Sequence, residues 1–312
     1  MKYLLKRIFT LIITLFIVSL LAFLAFQVIS DPASAMLGTS ATPESLAALR
    51  EELGLNQPIP VQYVRWLGSF LQGDFGTSYS YSMPVASMIG QKLPITALLT
   101  FFSFLIMIVI SIPLGIFSAR KEGSLLDRSL TILNQVCMSI PPFLLGVAFT
   151  YCFGIGLRFF VPGSFVSYTE SWPGFLKYLI FPALAIAIPR IAMTVKMLRS
   201  SILNQMGQEY VRTARSRGST RDRTLIHHVL RNAIIPVITF IATSMAEIVA
   251  SSIIIEQVFA IPGIGVLLLS SINNRDFPVV QAIVMILVLW VVVVNFIADL
   301  LYQYMDPRIR LD

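Results

Sequence analysis

Charge is scarce in this sequence: 12% of its 312 residues are Asp, Glu, Lys or Arg, where an ordinary soluble domain carries about a quarter. With 56% of the chain hydrophobic, that scarcity excludes a soluble fold and makes lipid the solvent for which the chain is built. Histidine is scarcer still. The two present, His227 and His228, are neighbours, and no HExxH occurs, so the ligand pair of a helical zinc-protease site is missing. Cys137 and Cys152 are the only cysteines; helix would hold them about 22 Å apart, beyond the reach of a disulfide. None of the six lysines follows a glycine, so the GxxxxGK[ST] phosphate loop is absent and the chain is not expected to bind or split ATP. No catalytic, cofactor-binding or metal-ligating residue is therefore expected.

What the chain has instead is long uncharged runs. Those between Arg7 and Asp31, Lys92 and Arg120, Arg128 and Arg158, and Asp276 and Asp299 hold no charge. Each is long enough for a hydrocarbon core, which takes about 20 residues at about 1.5 Å each. Two further runs, 178–196 interrupted by Arg190 and 234–255 interrupted by Glu247, bring the number to six. The expected fold class is an all-α integral membrane protein with six transmembrane helices. The first run exceeds the apolar core of a cleaved signal, about 7–15 residues, and is read as a retained first helix.

Threading six spans alternately puts sixteen Lys and Arg on the side of the N-terminus and six on the other, with Arg190 inside a span. The positive-inside rule then places both termini and the charged stretch 197–233 in the cytoplasm. Topology alone accounts for the net charge of +7, so no nucleic-acid partner is called for. The chain divides into 1–30, the cytoplasmic N-terminus and first helix; 31–93, an extracytoplasmic helical segment; and 94–312, the transmembrane core of helices 2–6 with loop 197–233 between helices 4 and 5.

Within 31–93, Thr42-Pro43-Glu44 reads as a helix start and Gly54 as its stop. In PVQYVRWLGSFLQGDFG, Val61, Val64, Leu67, Phe70 and Leu71 recur at helical spacing, which predicts an amphipathic helix lying along the membrane surface.

The stretch EYVRTARSRGSTRDRTLIHHVLRNAIIPV, 209–237, concentrates six arginines around Gly218 between apolar flanks. A connection this long is usually functional. Gly218 suits a helix C-cap and Ser219 or Thr220 the N-cap of the next helix, which predicts helix, sharp turn, helix with an arginine-rich face able to dock in a groove of a soluble partner. Read without context, the same arginines serve only to fix topology and Gly218 only to cap.

YVRTARxxG followed by HxLRNAxxP, present as Tyr210–Gly218 and His228–Pro236, resembles the cytoplasmic coupling loop of bacterial ABC importer permeases for peptides and nickel. LGLNQPIPVQYVRWLGSFLQGDFGTS, IPLGIFSA, EQVFAIPGIG, RDFPVVQ and DLLYQYMDPRIR extend the resemblance over nearly the whole chain, to the first, B-type, of the two permeases in those systems. Where ABC importers generally carry Glu-Ala-Ala and then Gly, this chain has Arg212-Thr213-Ala214 and Gly218, a replacement the peptide and nickel branch shares. A second departure is Ile29-Ser30-Asp31-Pro32, where the branch has Pro-Gly-Asp-Pro.

The resemblance implies a pore made with a second homologous permease, two ATP-binding cassettes beneath that bind ATP and magnesium, and an extracytoplasmic binding protein that delivers the solute. It implies that Arg212, Thr213, Ala214, Arg215, Arg217 and Gly218 dock into a cassette, with Gly218 setting the angle. His228, Arg231 and Asn232 would tie the second helix to the membrane end of the fifth span. Among ionisable groups within spans, Arg190 and Glu256 sit close enough to span ends to reach water, while Glu247 is the stronger pore candidate. Glu256, Pro262 and Gly263 are candidates for the gate, through EQVFAIPGIG. A proton-coupled secondary transporter is the alternative, disfavoured because one midspan acid and no internal repeat are seen.

Overall fold

The computed structural model describes residues 2–29, 32–37, 42–52 and 54–305. Ser30 and Asp31 of the departure at 29–32, and the terminal Arg308 and Arg310, lie outside the described residues. The chain is helical almost throughout: α1 Lys2–Ile29, α2 Pro32–Leu37, α3 Pro43–Glu52, α4 Ile59–Leu71, α5 Val85–Arg120, α6 Leu125–Ser139, α7 Pro142–Phe149, α8 Trp172–Met206, α9 Glu209–Ser216, α10 Arg221–Thr224, α11 Leu230–Val258, α12 Ile264–Asn273 and α13 Phe277–Met305. Among the described residues five helices are long and apolar enough to cross a membrane, or six if one bent pair counts as a single span.

That sixth span departs from expectation. The run 128–158 is not one straight helix: α6 and α7, the latter continued by a π-helical turn over Thr150–Gly156, meet at 98°. Ile140 and Pro141 are extended, with ψ of 121° and 144°. A residue before proline is driven out of the helical region, so the adjacent Pro141 and Pro142 break the rod. Periodicity registers apolar length but not this corner.

Two compact units divide the chain. In the first, Met1–Ile95 with Pro262–Val293, α4 packs on α1 through aromatic edges. The Tyr63 ring lies 5.5 Å from Phe23, and its hydroxyl is 2.7 Å from Ser19 Oγ. Asp276, fully buried, accepts hydrogen bonds from Ser78 Oγ at 2.5 Å and Tyr79 N at 3.1 Å, which fastens the turn before α5. The predicted starts and stops appear: Pro43 opens α3, and Gly54 follows it at φ +67°. α4 turns Tyr63 and Trp66 toward α1 and leaves Val61, Val64 and Leu71 of its apolar face exposed. Aromatic area outweighs aliphatic periodicity in choosing the packed side.

In the second unit, Thr96–Ile261 with Val294–Asp312, α8 packs against α6, α7 and α11. Gly115 lets α5 pack closely on α8, since a Cβ there would fall 2.8 Å from Leu198 Cδ2. At one end, Phe153, Phe159, Phe160 and Phe181 stack, with Phe153 and Phe181 4.9 Å apart. Tyr178 donates its hydroxyl to Phe259 O at 2.5 Å.

Candidate functional site

The expected loop 197–233 is mostly helix. α8 runs on to Met206, and Arg221–Thr224 passes through a π-helical turn, Leu225–Val229, into α11. Only Gly207-Gln208 and Arg217–Thr220 leave helical structure, so α9 is carried between the ends of two long rods.

Each end of α9 has a local cause. Glu209 occupies its first turn and Arg215 its last, the charge order the helix dipole favours. The C-terminus closes with Gly218 N–H bonded to Arg215 O at 2.9 Å and Ser219 N–H to Ala214 O at 3.2 Å. This double closure requires a left-handed residue at Gly218, whose φ is +82°. Thr220 then caps α10, its side chain accepting from Arg223 N. Val211 is fully buried and anchors one side of α9, while Arg212, Thr213, Arg215, Ser216 and Arg217 are exposed on the other. Of the exposed group, Arg212 pairs with Glu209 at 2.9 Å.

The mounts of this helix went unread in the sequence. Asp127, buried at the head of α6, accepts from Arg199 Nε and Nη2 at 2.7 Å each, from Ser118 Oγ at 2.7 Å and from Gly123 N at 3.1 Å. The two-pronged arginine contact fixes orientation as well as distance, and it pins the outgoing α8 to α6. On the returning side, Arg120 pairs with Asp222, and Arg221 with Glu122 at 3.2 Å. Both supports of α9 are therefore braced to the turn between α5 and α6. The signal was present in the acids flanking the α5–α6 junction, but pairing over 72 and 102 positions leaves no mark in a local pattern.

His228, Arg231 and Asn232 are exposed, and among the described residues their side chains make no hydrogen bond or ion pair. Through this stretch the helix continues into α11 by its own backbone.

The in-span charges are sorted differently from expectation. Glu256 does not reach water: it is fully buried and accepts from Thr96 Oγ1 at 2.5 Å. Arg190 and Glu247 form an ion pair between α8 and α11, with 20% and 55% of their side chains exposed. A lipid-facing charge at a helix centre costs about 2.5–3.5 kcal/mol, so an exposed Glu247 marks a face turned to water or protein. In the first unit, Gly263 is the N-cap of the short apolar helix α12, and Pro262 precedes it. The proposed gate segment thus leads into a helix rather than remaining a plain loop.

Two family models match the chain. One, described as binding-protein-dependent transport system inner membrane component, covers residues 111–311. The other, its N-terminal membrane component, covers 1–100. Curated relatives align over almost their whole length. A probable peptide ABC transporter permease protein of Sinorhizobium fredii is 33% identical over 309 residues, 99% of both chains. A putative peptide transport system permease protein of Brucella abortus is 37% identical over 309 residues, 99% of this chain and 98% of the relative. The oligopeptide transport system permease protein of Bacillus subtilis is 35% identical over 312 residues, 99% of both. A multi-pass helical chain with a braced, outward-facing basic helix, matched from end to end by these models, belongs to the inner membrane components of binding-protein-dependent transport systems.

Proposed function

We propose that this permease forms half of the translocation pathway of an ABC importer that takes up peptides, or a related small solute such as a nickel complex. In this reading it is the first of two homologous permeases. Two ATP-binding cassettes beneath hold ATP and magnesium, an extracytoplasmic binding protein delivers the solute, and both termini and α9 face the cytoplasm of the bacterial cell. The chain itself hydrolyses nothing.

The observation that carries the reading is the mounting of α9. Arg212, Thr213, Arg215 and Arg217 point away from the chain, Ala214 is half-buried, and Gly218 holds the turn at φ +82°. Charge-assisted bonds from those arginines suit acidic or carbonyl groups in a cassette cleft. Because α8 and α10 are tied by ion pairs to the α5–α6 turn, a push on α9 moves a rigid group and is not lost in a flexible loop. His228, Arg231 and Asn232, exposed beside it, extend the surface offered to the cassette. Glu247, Glu256, Pro262 and Gly263 are assigned to the pore and gate.

The test is reconstitution. Alone in liposomes the chain should show no uptake under ATP or a pH gradient. With its second permease and cassettes, a matching binding protein loaded with peptide should stimulate ATP hydrolysis. Uptake by the isolated chain under a pH gradient would establish the proton-coupled alternative instead.

A further inference from the structure

α8 is the most enclosed of the candidate spans, with 67% of its apolar window buried inside the chain. Between Ala185 and Asn204 the exposed residues are Lys196, Ser200 and Asn204 alone. With the half-buried Arg190 and Met193 they recur every three or four positions and form one strip. The rest of that stretch is enclosed or half-enclosed, yet what remains accessible is polar or charged, the reverse of a lipid-facing surface.

The neighbouring α11 adds a charged group beside this strip. Ser201 Oγ donates to Ala233 O at 2.7 Å, while Arg190 meets Glu247, so the two helices run antiparallel and their strips adjoin. On α11, Glu247 and Ala250 are exposed between the half-buried Thr243 and Ser251, and the strip ends at the exposed Ile254. Toward Asn204 the joint face opens into a cleft of about 530 Å³ lined by Met193, Lys196, Ser200, Asn204, Pro236 and Phe240, among others.

We propose that this α8–α11 face is a wall of the water-filled passage, and that the Arg190–Glu247 pair is a two-headed site for the charged ends of a short peptide. The proposal rests on the transport reading above and deepens it. In the resting pair each group satisfies the other. A zwitterionic peptide offers a carboxylate to the Arg190 guanidinium and an ammonium to the Glu247 carboxylate, so the pair can part without leaving either charge unmatched. Such a site recognises the termini common to all peptides and ignores side chains. The thioethers of Met138, Met193 and Met197 around the cleft supply adaptable contact for whatever side chains pass.

The test uses the assembled permease–cassette complex in nanodiscs without its binding protein, so that the selectivity of that protein does not enter. Cys137 and Cys152 are replaced by serine, and single cysteines are placed by Ser200→Cys, Ala250→Cys and, on the exposed apolar side of α5, Val109→Cys. A charged, water-soluble thiosulfonate should label the first two at least tenfold faster than the third. Millimolar trialanine should slow labelling at Ala250→Cys severalfold, whereas N-acetyl-trialanine amide, which lacks both charges, should not. Adding Glu247→Gln should abolish that difference.

Labelling of Ser200→Cys and Ala250→Cys as slow as that of Val109→Cys overturns the wall. Equal protection by the two peptides overturns the two-headed site, and that comparison needs no change at Glu247. Stimulated ATP hydrolysis, measured on the complete system, reports the transport reading separately, so intact coupling with failed labelling sinks this inference alone.

Discussion

α1 and α8 are both long enough to cross a bilayer, yet they present opposite surfaces. The window of α1 has a mean hydropathy of 2.8 and is 11% buried within the chain; that of α8 has 1.8 and is 67% buried. What α1 exposes is Phe9, Ile12, Phe16, Ile17 and Leu21, an apolar surface fit for lipid tails. What α8 exposes along its second half is Lys196, Ser200 and Asn204. Hydropathy thus measures two things at once: enclosed helices can afford polar groups on their one open strip, and lipid-facing helices cannot.

The largest effect expected concerns what holds α8 in its place. Asp127→Ala removes the carboxylate bonded twice to Arg199 and strands a part-buried guanidinium. Breaking such a pair costs about 3–5 kcal/mol, and the partial exposure of Arg199 puts this case at the lower end. The melting temperature of the purified complex should fall clearly, and so should its yield from membranes. An unchanged melting temperature would show that helix packing alone positions α8.

The contrast between the helices is sharpened by one substitution made twice. Ile17→Arg, on the exposed side of α1, should cost about 2.5–3.5 kcal/mol of insertion free energy and deplete the membrane-inserted fraction. Ser200→Arg, on the strip of α8, should leave insertion close to that of the unaltered chain, because its guanidinium meets water. Equal depletion by both would break the comparison and return α8 to the lipid.

A smaller effect on stability, with a large one on function, is expected at Gly218. At φ +82° with open space around it, Gly218→Val suffers backbone strain rather than a clash, about 1 kcal/mol or more. Membrane yield should hold near normal, while binding-protein-stimulated ATP hydrolysis falls severalfold and cassettes co-purify poorly. Arg221→Gln removes the weaker, exposed tie to Glu122 but leaves Arg120–Asp222 holding α10, and should change both readings least. Full coupling in the Gly218 variant would leave the arginines as topology signals and nothing more.

How far the sequence could be read follows from the range of each cause. The five unbroken candidate spans, the stop at Gly54, the turn at Gly218 and the cap at Thr220 were legible because hydropathy, cap chemistry and φ act within a few residues. Pro141-Pro142 was visible too, but a run without charges reads as one span whatever its angle. Val211, the buried anchor of α9, was hidden among arginines, since a single apolar residue has no periodicity.

By itself, then, the sequence determined that the chain lives in lipid, which runs are apolar enough to cross it, and where a basic helix must end. Only the tertiary structure decided the standing of its charges. Glu247 and Glu256 lie nine positions apart on one helix with the same carboxylate, yet one is more than half exposed against Arg190 and the other fully enclosed against Thr96. Nothing in their neighbouring residues separates them, because a charge's solvation is set by the helices packed around it, and those come from 57 and 160 positions away.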